Sequence, residues 1–419
     1  MGGITYSSLL QHSTWILGCL ILTAFFVSPA LLSIAMALLL IVGILTWASD
    51  GFAWHYTLKV IMVLCLALLL LHAFSWGFSQ NLAEAQRKFL VKLPFFLTPL
   101  LMVALIRVQP YYKWIMITWF CYAVYVTGTV STLVYLMNRA YFDFLILQAK
   151  PIPISFGYGI FHIHFSFLNA LASFIGLGVM LGYANACVPG SNAAPPKWCR
   201  LLIMVVTPLN IINLHWLSAR TGLLGFYVAL LILAAYMFFT IQKQKQLILI
   251  LLMLCLPVFA YMFSGSFKNR MINSYEDLTT IVSGDNPNDK SVAMRVEAWK
   301  TSLFLIQKYP LIGVGLGDLE PALQEAFLDR GTLLLPENRK NPHNQFLETA
   351  IHVGIPGFLL LLALFVYYIR VHLKNGIIVG ITGIMLASFF FESLLERQVG
   401  VYAVAFFLAL LYEPKETPV

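Results

Sequence analysis

Apolar segments of membrane-spanning length recur along almost the whole chain, and one long polar stretch, residues 264–345, interrupts them. That pattern admits few folds. Inside a bilayer every backbone N–H and C=O must be satisfied within the segment or by its neighbours, so only helices and closed barrels cross. The runs here have the length of helices, not of short barrel strands. They fall near 13–28, 30–48, 57–75, 93–107, 114–137, 160–184, 200–217, 221–241, 247–263, 346–369, 376–394 and 399–412. The first, fourth and last are short enough to be tilted or re-entrant. Composition agrees: 60% of the 419 residues are hydrophobic, 11% are charged, and the mean hydropathy is +0.83. A soluble chain is about a quarter charged. The prediction is an all-α polytopic membrane protein of about twelve transmembrane helices. It divides into helices one to nine over 1–263, a large, partly helical loop over 264–345, and helices ten to twelve with a short tail over 346–419.

The net charge of +8 would point to nucleic acid in a soluble chain. No basic run here is interleaved with aromatics, so a nucleic-acid partner is excluded. In a membrane protein, basic residues set topology, meet lipid head groups or hold an anionic substrate. The first Lys or Arg is Lys59, so the N-terminus lacks the basic region of a cleavable signal. With the N-terminus cytoplasmic, ten Lys and Arg fall in cytoplasmic connections, seven in opposite short connections and nine in the long loop. Ten against seven favours both termini inside, because long loops count little. Cys19, Cys65, Cys121, Cys187, Cys199 and Cys255 show no C-x-x-C spacing. They read as ordinary thiols, with neither a metal site nor a disulfide framework.

The long loop has structure of its own. Met294–Trp299 opens an amphipathic helix predicted to run to about Lys308, where Tyr309-Pro310 stops it. A second helical stretch is expected near 319–329, and Asp285-Asn286-Pro287-Asn288 is turn chemistry. Gly313, Gly315 and Gly317 follow no strand and precede no Gly-Lys-Ser/Thr, so they are a tight turn and not a nucleotide loop.

A few polar residues stand where they could do chemistry. His343 follows Pro342 at the mouth of a span; it is either a neutral imidazole able to take a proton, or a helix-capping or interfacial His. Arg220, in Ser218-Ala219-Arg220-Thr221-Gly222, joins two apolar spans with almost no loop. An Arg at that depth either faces a cavity or snorkels to the interface; its small neighbours favour the cavity. Arg295 is four residues before Trp299, on one helix face; it is a functional cation, a plain surface charge or a stack on Trp299. Arg87, Lys88 and Lys92 precede a span as anion-binding or lipid-anchoring groups. His162 and His164 are roughly 200° apart on a helix, which argues against a shared metal ion; one of them can face a polar cavity.

Three stretches together give the chain a resemblance. Ser218-Ala219-Arg220-Thr221-Gly222 is the first. Arg295-Val296-Glu297-Ala298-Trp299, leading to Pro310–Gly315, is the second. His343-Asn344-Gln345-Phe346-Leu347-Glu348, leading to Gly354-Ile355-Pro356-Gly357, is the third and most specific. With the span layout, they resemble the O-antigen ligase and Wzy-type polymerase superfamily. The resemblance implies a GT-C-type glycosyltransferase in the bacterial inner membrane. Such an enzyme moves a glycan from undecaprenyl pyrophosphate to a hydroxyl acceptor, such as lipid A–core, on the periplasmic face, with inversion and without metal or other cofactor. It implies that Arg220, Arg295 and His343 are the catalytic residues, with Arg220, Arg295, Arg87, Lys88, Asn344 and His162 as pyrophosphate- or glycan-binding groups. His352 stands where an acidic residue is common in relatives, which removes any acid role there.

The chemistry fits those residues. A pyrophosphate leaving group gains negative charge that fixed guanidiniums stabilise, and the attacking hydroxyl must lose a proton. Lipopolysaccharide ligation is the leading expectation. Chain polymerisation of the Wzy type and protein O-oligosaccharyl transfer use the same chemistry. A transporter is the alternative of a different class, but its charges would gather near the midplane, not around one loop.

Overall fold

The structure is a computed structural model that describes residues 6–49, 55–148, 150–188 and 194–415. Among them there is no strand. The first half of the chain forms α1 (Tyr6–Val27), α2 (Pro29–Ser49), α3 (Tyr56–Phe78), α4 (Leu82–Phe96), α5 (Thr98–Ile106), α6 (Pro110–Met137), α7 (Arg139–Leu147), α8 (His162–Met180) and α9 (Ala184–Cys187). The second half forms α10 (Lys197–Leu217), α11 (Arg220–Phe239), α12 (Lys243–Phe263), α13 (Gly265–Ser283), α14 (Ser291–Lys308), α15 (Leu319–Asp329), α16 (Gln345–Val371), α17 (Gly376–Phe391) and α18 (Gln398–Leu410).

Among the described residues ten helices are long and apolar enough to cross a membrane, and α17 and α18 are shorter apolar helices. This is a multi-pass membrane protein. The spans differ in what surrounds them. Ile163 to Val179 of α8 are buried on every side, as expected of a helix apolar all round at the centre of a bundle. In α12 only Leu249 and Ala260 are buried, and large side chains such as Leu247, Leu251, Leu254, Phe259 and Met262 face outward, where lipid is as good a solvent as protein.

The fourth span differs from expectation. It was placed at 93–107, but the helix starts at Leu82, where the Asn81 side chain accepts from Glu84 N (3.1 Å). The run breaks once, at Leu97, ahead of Pro99. Arg87, Lys88 and Lys92 therefore lie inside a helix and not ahead of one. Lys92 is buried and reaches both carboxylate oxygens of Glu396 at 2.5 Å. Hydropathy starts the span late because a buried ion pair reads as polar sequence. The first span is a full 22 residues.

In the loop, α14 and α15 stand where helices were expected, and α13 was not anticipated at all. The loop docks on the bundle through backbone contacts. Val314 N donates to Ile351 O and Ile355 N to Pro310 O, both at 2.8 Å. These reach a break inside α16, where Gly354 takes φ +75° and a Cβ would lie 2.2 Å from Leu311 O. Glycine is needed there for conformation and for space. The Pro310–Gly315 and Gly354–Gly357 stretches thus pack on each other, which holds α14 against the mouth of α16.

Candidate active site

The site forms where helices stop. α10 ends at Ser218, which is left-handed (φ 46°), and α11 begins two residues later with Arg220. Gly222 lets the start of α11 press on α8: a Cβ would lie 2.2 Å from Ser166 O, and Gly222 N donates to Ser166 Oγ (3.2 Å). Close packing turns the Arg220 side chain toward a cavity of about 370 Å³, whose lining includes His162, Arg220, Arg270, Arg295, Lys340 and His343. That volume lies in the range of small-molecule sites.

His343 is held from three directions. Its backbone is left-handed at φ 48°, a conformation uncommon for non-glycine residues that the surrounding contacts must hold. Trp299 of α14 donates its indole N–H to Pro342 O at 2.7 Å, so Trp299 anchors the segment before His343. Asn344 is the N-cap of α16, accepting from Phe346 N (3.0 Å) and Leu347 N (3.1 Å), and its amide donates to Phe390 O (3.2 Å). The capping role considered for His343 therefore belongs to Asn344, whose side-chain oxygen is committed to the cap.

The ring of His343 has an acidic partner. Nδ1 lies 3.1 Å from Glu392 Oε1. With Nδ1–H donating to that carboxylate, Nε2 keeps its lone pair, the tautomer a general base needs. Glu392 sits just past α17, which ends at Phe391 and not at 394 as expected. Burial opposes ionisation of Glu392, but the hydrogen bond from His343 and the nearby charge of Arg295 help hold the carboxyl below its ordinary range. A depressed acid keeps its charge through neutral pH and loses it only as pH falls through the depressed value. Gln345, fully buried, secures the opposite segment by accepting from Leu395 N (2.7 Å) and donating to Glu396 (3.2 Å).

The cations are arranged by α13. Asp277 pairs with Arg220 (3.5 Å) and accepts from Val292 N (3.0 Å) in the first turn of α14, the helix that carries Arg295. One buried carboxylate therefore ties together the elements bearing both predicted arginines. Burial lowers the pKa of Arg295, and Arg220 adds to this, while Glu392 and Asp277 offset part of it. Arg270 is lowered to about 10, first by burial and then by the charge of Arg220. Both stay charged at neutral pH.

The structure thus brings Arg220, Arg295, His343 and His162 around one cavity. His164 is buried and not part of the lining. Arg87 and Lys88 are elsewhere on α4: Arg87 forks onto Glu84 (2.7 and 2.6 Å) at the surface, and Lys88 Nζ lies 3.2 Å from His352 Nε2. Glu348, His352 and Glu396 bring ligand-type atoms within 4.8 Å of one another. That set could hold a metal by donor type, but Lys92 on Glu396 and Lys88 beside His352 already supply its positive charge. Arg270, Asp277, Lys340 and Glu392 were not anticipated. Glu392 did carry a signal, as a carboxylate closing an apolar run.

Residues 203–362 match the family model Wzy_C, described as O-antigen ligase. Over this segment the chain is similar to the O-antigen ligase family. The segment includes Arg220, Arg270, Arg295 and His343 and stops before Glu392. No curated protein matches the chain. The match supports a membrane glycan-transferring enzyme of ligase or polymerase type in O-antigen biosynthesis.

Proposed function

We propose that the protein is a metal-independent, inverting O-antigen ligase of GT-C type in the bacterial inner membrane. It takes a glycan from undecaprenyl pyrophosphate and passes it to a hydroxyl of lipid A–core on the periplasmic side. The observation that carries this reading is the meeting, in one cavity of a segment similar to the O-antigen ligase family, of the His343–Glu392 pair with Arg220 and Arg295. His343 Nε2 takes the proton of the acceptor hydroxyl as its oxygen attacks the anomeric carbon. The C–O bond to pyrophosphate breaks, and the guanidiniums stabilise the departing oxygen. Direct displacement inverts the anomeric centre.

A deletion strain and its complement test the reaction. Loss of the whole lipopolysaccharide ladder, with carrier-linked polymer accumulating, is the expected gel pattern. A band with a single repeat would identify a polymerase instead.

Orientation has its own test. The Lys and Arg distribution supports an outside 264–345 loop with both termini inside, and the nine apolar helices before the loop among the described residues agree with it. Ser283 is exposed at the end of α13. Ser283→Cys should react with a membrane-impermeant maleimide in intact spheroplasts, above the background of the unsubstituted protein. Protection until lysis would reverse the orientation.

A further inference from the structure

We propose that Arg270 is a third anion-binding residue of this cavity, gripping the diphosphate of the carrier together with Arg220 and Arg295. The inference rests on the diphosphate-linked donor proposed above. Arg270 lies on α13, seven residues before Asp277, so the two share a helix face two turns apart. From that face Asp277 restrains Arg220, and Arg270 itself lines the cavity. The two groups differ in how they are satisfied. Asp277 has its ion pair and a backbone donor. Arg270 has only the carbonyl of Lys150, which accepts from Nη2 at 3.0 Å. Its Nε is buried with no hydrogen-bond partner, and among the described residues no carboxylate pairs with it. A buried guanidinium donor left unmet is costly unless a ligand meets it.

The charge balance points to the same ligand. Arg220, Arg270, Arg295 and Lys340 line the cavity, and the carboxylates paired with its lining residues are Asp277 and Glu392. The excess is two positive charges. A diphosphate diester carries one negative charge on each phosphate group, so it neutralises that excess. Forked N–H donors on guanidinium suit phosphate oxygens bidentately. The tie to Lys150 O places Arg270 on the wall formed by Pro151 and His162, so it would meet the anion from a side that the α11 and α14 arginines leave open.

The test uses the purified full-length protein in detergent. Thermal melting is followed against inorganic pyrophosphate at constant ionic strength, for the wild type, Arg270→Gln, Arg270→Lys, Arg295→Gln and Lys268→Gln. Lys268 is exposed on the same helix and controls for a simple loss of positive charge. Arg270→Gln is expected to weaken pyrophosphate affinity by about tenfold or more, Arg270→Lys to recover part of it, and Lys268→Gln to match the wild type. With a diphosphate-linked glycan, Arg270→Gln should raise the donor KM more than it lowers kcat. An Arg270→Gln protein that melts lower but keeps wild-type pyrophosphate affinity would show that Arg270 only ties down the segment at Lys150, and the proposal falls. If Arg295→Gln loses affinity in that same series, the donor reading stands without Arg270. A wild-type protein indifferent to pyrophosphate overturns both.

Discussion

His343→Ala is expected to slow glycan transfer by about a hundred- to ten-thousand-fold in a purified assay, the usual range for loss of a general base. Binding of the diphosphate-linked carrier should stay near that of the wild type. The ring sits at the cavity, its Nδ1 is committed to Glu392 at 3.1 Å, and its backbone is held at φ 48° by contacts on either side. Residues around it supply stability independently: Trp299 anchors Pro342, and Asn344 caps α16. Folding should therefore survive the substitution, and initial rates can be compared at matched protein levels. His343→Asn separates the remaining alternatives. Asn tolerates a left-handed backbone but cannot accept a proton at neutral pH, so it should be nearly as slow as Ala. Near-normal turnover by the Asn variant would remove the base role. Weakened carrier binding with normal single-turnover chemistry in the Ala variant would make His343 a phosphate contact instead.

Arg220→Lys and Arg295→Lys should each cost about a hundred- to a thousand-fold in kcat, comparable with removing one donor from an oxyanion site. Lys keeps the charge and loses the planar fork that spans two phosphate oxygens. The two variants should differ in the folded protein. Arg220 is restrained by Asp277 at 3.5 Å, and a shorter ammonium loses that tether and frees a buried carboxylate. Arg295→Lys breaks no such pair, so its defect should appear in transfer with little change in melting temperature. Wild-type transfer by both Lys variants, at normal protein levels, would show that charge alone suffices and that bidentate recognition is wrong.

Much of the architecture was legible because a bilayer makes burial a local property. A helix must be apolar along its length to cross, whatever its neighbours are, so hydropathy located the crossing segments and the polar loop between α12 and α16. Arg220 and His343 stood out as well, as polar residues at the edges of apolar runs, and Arg295 by its spacing to Trp299 on one helix face. α14 and α15 announced themselves by apolar periodicity and by Pro310. α13 did not: it buries Ser266, Phe267, Asn273 and Asp277, a mostly polar face that no hydrophobic pattern reveals.

What only the tertiary structure decided is which polar groups converge. Glu392 reaches His343 across 49 residues of chain, and Asp277 reaches Arg220 across 57. Those pairings depend on where α17 stops, how α13 is rotated and how the loop docks at the Gly354 break in α16. By the same packing Arg87 and Lys88 of α4, basic residues like the others in sequence, are engaged by Glu84 of α4 and by His352 of α16. The amino-acid sequence by itself determined that this chain crosses a membrane many times and gathers its candidate site residues beside one loop, because solvation by lipid is read residue by residue. The composition of the site came from the fold, because ion pairs and shared cavities are set by distances between segments far apart along the chain.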